Sequence, residues 1–557
     1  MGNQVDFVVR GTLVNVHTGS LEDETIAIDD GEIVALEDRP AENVLETNFI
    51  TPGLIDAHVH VESSMVTLPQ YGEAVIPRGV TSVIHDPHEI ANVLGEAGVR
   101  SVIEDADKTP LKARFGVPSS VPATPLQDAG ATLDATTVEN LLDIKEVVAL
   151  AEVMDIQGVV SGAEEVHAKI TAARERGLTV DGHLPRISGS TLQEASRYLD
   201  TDHESISSEE LLEKYRAGFR VFLREGSTSK NLVNLLPALQ KVDSRFMSLC
   251  TDDRNTVDLV EQGGIDFAVQ KAIAEGADPI KIVQMATVNT AETYELPFGR
   301  IRPGAPADMV LLDDLESWQV DHVLIDGTLD PTSSEKTADT TALTTDTVKF
   351  EPVSPMDLEY TVQRQDDSSC RVRVIGVGEL QTELLEGTVQ CEDAVLNANL
   401  QEDILPAAVI ERHGKEAGIG TGFVHGFGLD RGAIASTIAH DTHNLVVVGT
   451  TQSVMAKLAN HLKEINGGIG VYDPRSSEFT SLPLPVAGLM SDQPLRQVKK
   501  QFETVEEAAR NIGFSHPGGI MELTFIALEV IPEVRLTNNG LVNVNQMEYT
   551  DVVISTD

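Results

Sequence analysis

The stretch Asp56-Ala57-His58-Val59-His60 follows the short run Pro52-Gly53-Leu54-Ile55 and reads as the end of a β-strand. Alternate residues of an extended strand share a face, so His58 and His60 point the same way. Two imidazoles on one face at a strand end can bind a single borderline metal ion. The competing reading is a pair of solvated or core histidines, and the motif taken alone leaves both open.

Outward from this stretch the pattern repeats. From Phe49 onward, short apolar strands alternate with helix-like segments such as Glu164 to Arg176 and Leu192 to Leu199. Candidate strands end near His60, His85, Val121, Val153, His183, His203, Arg224 and Asp252. Eight strands alternating with helices predict an α/β fold, a (β/α)8 TIM-type barrel over residues 51–298, with a doubly wound open sheet as the alternative. In a barrel the strand ends gather on the face that carries the catalytic loops.

Residues 1–50 hold short apolar runs broken by turns: Phe7-Val8-Val9, Thr12-Leu13-Val14, Thr25-Ile26-Ala27-Ile28 and Glu32-Ile33-Val34-Ala35-Leu36. Asp29-Asp30-Gly31 separates the last two as a hairpin-type turn. Residues 299–330 return to this pattern and are expected to complete a small composite β-sandwich domain with the N-terminal strands. Residues 331–349, rich in Thr, Ser, Asp and Ala, read as a linker. Residues 350–557 form an additional C-terminal α+β domain that opens with strands such as Cys370-Arg371-Val372-Arg373-Val374-Ile375.

Four further strand ends carry ionisable groups. Ala149-Leu150-Ala151-Glu152-Val153 places a carboxylate at the end of an apolar strand. Val180-Asp181-Gly182-His183 and Thr201-Asp202-His203-Glu204 each supply a histidine, and Leu249-Cys250-Thr251-Asp252-Asp253 ends the eighth strand on an acidic pair. Alone, Glu152 would read as a helix cap or ion-pair partner. Four histidines and two acids at termini that one barrel brings together point to a metal centre. His85 is expected in an ordinary surface role.

Composition narrows the class. Asp and Glu number 88 against 41 Lys and Arg, a formal net charge of -47 spread along the chain. Such a surface repels nucleic acid and anionic membranes. Its self-repulsion is relieved by salt, which predicts a salt-adapted, halophilic setting. Three cysteines, Cys250, Cys370 and Cys391, have no close-spaced pair and indicate neither a disulfide framework nor a cysteine zinc site. Neither a leader-like N-terminus nor a long apolar span is seen, so a cytoplasmic protein is expected.

The motifs carry a family resemblance. Pro52 to His60 resembles the opening of the amidohydrolase superfamily barrel. Val61-Glu62-Ser63-Ser64-Met65, Asp86-Pro87-His88-Glu89-Ile90-Ala91-Asn92-Val93, Ala151-Glu152-Val153-Met154, Arg224-Glu225-Gly226-Ser227 and Ala439-His440-Asp441-Thr442-His443-Asn444 resemble the adenine deaminase family. The resemblance runs from about residue 5 to the C-terminus.

It implies a binuclear divalent metal centre, with manganese(II) or iron(II) typical and zinc possible. His58 and His60 with Asp252 would hold one ion, His183 and His203 the other, and Glu152 would bridge them. Two cations sharing a water lower its pKa, and the hydroxide so formed would attack C6 of adenine to give hypoxanthine and ammonia, a step in purine salvage. Asp252 and Glu152 are the catalytic candidates, with Asp252 passing the proton. His88, Glu89, Arg224 and Glu225 are candidates for contact with the purine, and His88 and Glu89 would equally suit an extra metal or a cap on the next helix. Arg224 and Glu225 would equally suit a structural ion pair. His440, Asp441, His443 and Asn444 are candidates for a contribution from the C-terminal domain, or for a buried polar cluster. A small purine as substrate and a homodimer are expected, with no nucleic-acid or membrane partner. The chain departs from the family pattern at Asn255 and Gly264, where the family shows histidine.

Overall fold

The computed structural model describes residues 4–332, 346–363, 369–378, 381–415 and 418–556; most of the expected linker lies outside them. The chain divides into two compact units. The described residues of Met1–Pro87, Arg100–Ser120 and Leu133–Ala338 form the first, and those of His88–Val99, Val121–Thr132 and Asp339–Asp557 the second.

In the first unit β1 (Val5–Asn15), β2 (Ser20–Asp29), β3 (Glu32–Ala35) and β4 (Ala41–Pro52) open the chain. Phe7-Val8-Val9 and Thr12-Leu13-Val14 belong to one continuous strand, not two. The β2–β3 hairpin pairs Asp29 with Glu32. Asp30 (φ 50°) and Gly31 (φ 79°) both turn left-handed, as a two-residue turn of this hand requires. After the barrel, Met309–Asp314 pairs with β4, and Gln319–Ile325 and Thr328–Leu329 extend the same sheet to seven strands. The sheet curls until β3 is tied to the far segment by Ile33 N–H to Ala305 O (2.9 Å) and Gly304 N–H to Ile33 O (2.8 Å). Val9, Leu13, Ile26, Ile28, Ile50, Met309 and Leu324 fill its inside. Each such side chain, fully buried, contributes about 1.5–3 kcal/mol.

The barrel strands are β5 (Leu54–His60), β6 (Val80–His85), β7 (Lys112–Val117), β8 (Val147–Val153), β9 (Thr179–Gly182), β10 (Thr201–Asp202), β11 (Arg220–Arg224) and β12 (Met247–Cys250), continued by β13 (Asp252–Asp253). β5 to β9 pair in parallel in chain order, and so do β10 to β12. The sheet closes: Asp200 N–H bonds Val180 O (2.8 Å) across β9 and β10, and β13 pairs with β5 through Asp252 with Val59 and Asp253 with His60. Closure removes the open-sheet alternative and brings first and last strand ends together. β7 stops at Val117, short of the expected Val121, because Pro118 has no N–H for the ladder. The expected helix Glu164 to Arg176 is present as Glu164–Glu175, and that at Leu192 to Leu199 starts and stops earlier, at Gly189–Ala195.

The second unit is built on a ten-stranded sheet in which Ser369–Val377 and Ile404–Ile410 are central. The helix Gln452–Glu464 packs Met455, Leu458, Ala459 and Leu462 into a core with Ala408, Ile410, Leu445 and Val447. Two stretches from between the barrel strands, residues 88–99 and 121–132, belong to this unit. Asn444 Nδ2 donates to Asp128 O (2.8 Å), Asn538 Nδ2 to Asp128 Oδ2 (2.8 Å), and Thr124 Oγ1 to Glu529 Oε1 (2.9 Å). A left-handed break at Gly95 (φ 61°, ψ -142°) interrupts the helix that starts at His88; a Cβ there would lie 2.8 Å from that of Ala131.

Candidate metal centre

The barrel brings together all six side chains that the strand ends single out. His58 Nε2 and His60 Nε2 approach to 3.1 Å, and Asp252 Oδ1 lies 3.5 Å from the first and 3.1 Å from the second. Glu152 spans the cluster: Oε1 is 3.6 Å from His60 Nε2, while Oε2 is 2.8 Å from His183 Nδ1 and 3.3 Å from His203 Nε2. The His58 and His203 rings stack at 4.2 Å. Overlapping donor groups result, among them His58, His60 and Asp252; His58, Glu152 and His203; and His183, His203 and Glu204.

Neighbouring residues hold these side chains in place. His60 Nδ1 bonds the Asp86 carbonyl at 2.9 Å. A carbonyl only accepts, so the Nδ1 proton is committed there, which fixes the ring and turns Nε2 toward Asp252 and His58. Asp56 accepts from Thr251 N–H (3.0 Å) and Thr251 Oγ1 (2.6 Å), pinning β5 to the strand end that carries Asp252. Asp181 accepts from Thr201 Oγ1 (2.8 Å) and Tyr294 Oη (3.0 Å) between β9 and β10. Burial pushes the Asp56 and Asp181 carboxyls up to about 7.

Glu204, adjacent to His203, joins the cluster although the sequence reading does not single it out. Its Oε1 is 3.5 Å from His203 Nε2 and 3.8 Å from His183 Nδ1. Arg224 lies beside it, donating from Nη1 to Asp252 Oδ2 (2.6 Å) and Glu204 Oε1, and from Nη2 to Glu204 Oε2 (3.1 Å). Burial opposes charge on Asp252, but Arg224 and the two imidazoles outweigh it and hold the carboxyl well below its usual range. Burial drives His58 down to about 4, whereas Glu204 and Glu152 overcome burial at His183 and raise it to about 9. The field that draws a proton to His183 also draws a divalent cation.

The donor set fits such ions. Imidazole nitrogens and carboxylate oxygens converge here, and this mixed nitrogen and oxygen set suits manganese, iron or zinc. Glu225 lies outside the cluster; its buried carboxylate bonds Lys271 Nζ at 2.5 Å. His85, expected at the surface, is fully buried, with Nδ1 3.1 Å from Val59 O and Nε2 3.5 Å from Glu62 Oε2. As the last residue of β6 it is enclosed by the strands on either side. Asn255 caps the helix Thr256–Glu261 by accepting from Asp258 N–H (2.9 Å), and Gly264 precedes the helix Ile265–Ala274. A short capping residue suits the first place, and a Cβ at the second would meet only ordinary contacts, the nearest at 3.5 Å.

In the second unit Glu89, His440 and His443 form another donor group, with His88 and Asp441 beside it. Asn444 is turned away to Asp128 and the Arg412 backbone.

The chain matches two known families: the amidohydrolase family over residues 49–330 and the adenine deaminase C-terminal domain over residues 379–548. It is 38% identical to an adenine deaminase of Desulfatibacillum aliphaticivorans, covering 98% of this chain and 97% of that protein. It is 39% identical to one of Methanothermobacter thermautotrophicus, covering 98% and 100%, and 37% identical to one of Bacillus subtilis, covering 98% and 96%. Sequence likeness of this extent reaches from the curled N-terminal sheet through the barrel to the last strands, and the chain belongs to the adenine deaminase family of amidohydrolases.

Proposed function

We propose that this protein hydrolyses adenine to hypoxanthine and ammonia at the barrel centre, serving purine salvage. The observation that carries the reading is the convergence of His58, His60, Glu152, His183, His203 and Asp252 on one another within 3.6 Å steps. His58, His60 and Asp252 would hold one divalent cation, His183 and His203 a second, with Glu152 between them. Manganese(II) or iron(II), with zinc as the alternative, and a homodimer belong to the same proposal and rest on the family resemblance. A salt-rich cytoplasm as its setting rests on the acidic surplus. Among the described residues no helix is long and apolar enough to cross a membrane.

When bound, the cation pair supplies Lewis-acid charge that makes a nearby water more acidic. The protein's own groups then set the chemistry. Arg224 occupies Asp252 Oδ2 and leaves Oδ1 on the side of the histidines. Asp252 takes a proton from water as its oxygen adds to C6 of the purine, and returns it to the departing amino nitrogen. The C6–N bond breaks, ammonia leaves and the oxygen stays. Glu204 fixes the guanidinium of Arg224 from its other side, so the ion pair serves to aim Asp252.

The test is purified protein reconstituted with manganese and offered adenine, with absorbance reporting hypoxanthine and a coupled assay reporting ammonia. One hypoxanthine and one ammonia per adenine consumed are expected. Ring opening of cyclic amides without deamination of adenine would move the chain to another amidohydrolase activity. A fully metal-loaded protein inert toward every aminopurine would make it a non-catalytic metal binder.

A further inference from the structure

We infer that the second unit carries a divalent-cation site of its own, in which His88, Glu89, His440 and Asp441 are the ligands and His443 orients the Glu89 carboxylate. It goes beyond the deaminase reading, which places no metal ion on these residues.

The residues come as two adjacent pairs, His88-Glu89 opening a helix and His440-Asp441 in the loop after the strand Ala433–Ser436. Glu89 is 2% exposed and His443 1%, so neither is a solvated surface group. His440 Nδ1 lies 2.7 Å from Glu89 Oε1, and His88 Nε2 lies 3.5 Å from the same oxygen and 4.0 Å from Asp441 Oδ1. The His440 ring is stacked on Phe525 at 5.4 Å and 16°, which fixes its plane.

The tautomer of His443 decides its part. Ala439 N–H donates to His443 Nδ1 at 3.2 Å, so in the neutral ring Nδ1 is the acceptor and Nε2 bears the proton. That proton goes to Glu89 Oε2. With its Nε2 lone pair unavailable, His443 is excluded as a ligand; it instead ties down one carboxylate oxygen and leaves Oε1 to face His88 and His440. A carboxylate ligand braced by a hydrogen-bond donor outside the coordination sphere is a recurrent feature of metal sites.

Charge supports a cation. Among the described residues every ion-pair partner of Glu89 is a histidine, so no permanently charged Lys or Arg compensates this buried carboxylate, and burying a charge without compensation is costly. Two imidazoles and two carboxylates give a neutral site when filled by a divalent ion, and the set suits manganese, iron or zinc.

The test counts metal and does not use activity. Protein stripped by a chelator and dialysed against Mn2+ alone should bind one equivalent beyond those of the barrel. Glu89→Gln and His440→Asn should each remove that equivalent. Glu152→Gln should lose barrel manganese and keep it, so that failure of the barrel reading is seen separately. His443→Asn should weaken the extra site by about 10–100-fold without abolishing it. Anomalous scattering from Mn2+-soaked wild-type crystals should show a peak among the four ligands, and this holds even where a variant fails to fold. A wild-type count that Glu89→Gln and His440→Asn leave unchanged, or crystals without that peak, would overturn the proposal and make the cluster a proton-linked hydrogen-bond network.

Discussion

Asp252 is held on one side by a guanidinium and on the other by two imidazoles, which keeps it ionised although buried. Replacing it with Asn keeps the shape and removes the basic oxygen. Asp252→Asn is expected to keep its metal and lose about 10²–10⁴-fold in turnover, the usual worth of a positioned proton-transfer group. Metal analysis beside steady-state kinetics checks both halves, and near-normal turnover would take Asp252 out of the mechanism. The six converging side chains are legible in the sequence because each ends an apolar run, and the period-2 rule gives His58 and His60 one face. Glu204 is hidden by its neighbour: an acid next to a ligand histidine carries no spacing signal, and only Arg224 reaching across from β11 gives it a place. His85 reads as a surface residue because it adjoins the polar run Asp86 to Glu89, whereas its own position is the closing residue of a buried strand.

At the scale of elements, the short strands β9 and β10 place His183 and His203 yet contribute few ladder bonds. A side-chain clamp compensates. Lys214, fully buried on the helix Ser208–Ala217, donates to Leu184 O (2.7 Å) and Asp202 Oδ2 (2.9 Å) and pairs with Glu210 (3.0 Å), gripping the residues that adjoin both histidines. Lys214→Met leaves Asp202 buried without its counter-charge. The expected cost is about 3–5 kcal/mol in chemical denaturation, accompanied by reduced metal occupancy at His183 and His203. Unchanged stability and occupancy would mean that the clamp is incidental. Nothing in the sequence marks this lysine, since a helical Lys flanked by Glu213 and Tyr215 reads as solvent-facing until the barrel closes around it. The end of β7, by contrast, is open to reading from Pro118 alone.

Over the whole molecule, a formal charge of -47 governs how the protein responds to salt. The Debye length falls from about 10 Å at 0.1 M salt to about 3 Å at 1 M, so mutual repulsion among surface carboxylates is largely screened in concentrated salt. Both the midpoint of thermal unfolding and the deamination rate are expected to rise between dilute buffer and molar KCl. Full stability and rate in dilute buffer would count against the salt-adapted reading. The barrel is legible at this scale because eight apolar runs alternate with helical ones. The make-up of the second unit is not: residues 88–99 and 121–132 sit between barrel strands in the sequence, and only their hydrogen bonds, such as Asn444 to Asp128, assign them elsewhere. That interleaving constrains how the polypeptide can be made and divided. During synthesis two pieces of the later unit emerge early and must wait, unpartnered, until the final strands leave the ribosome. A gene cut between the halves would yield a first product with two orphaned insertions and a second with gaps in its interior, so neither half is a freely transferable module.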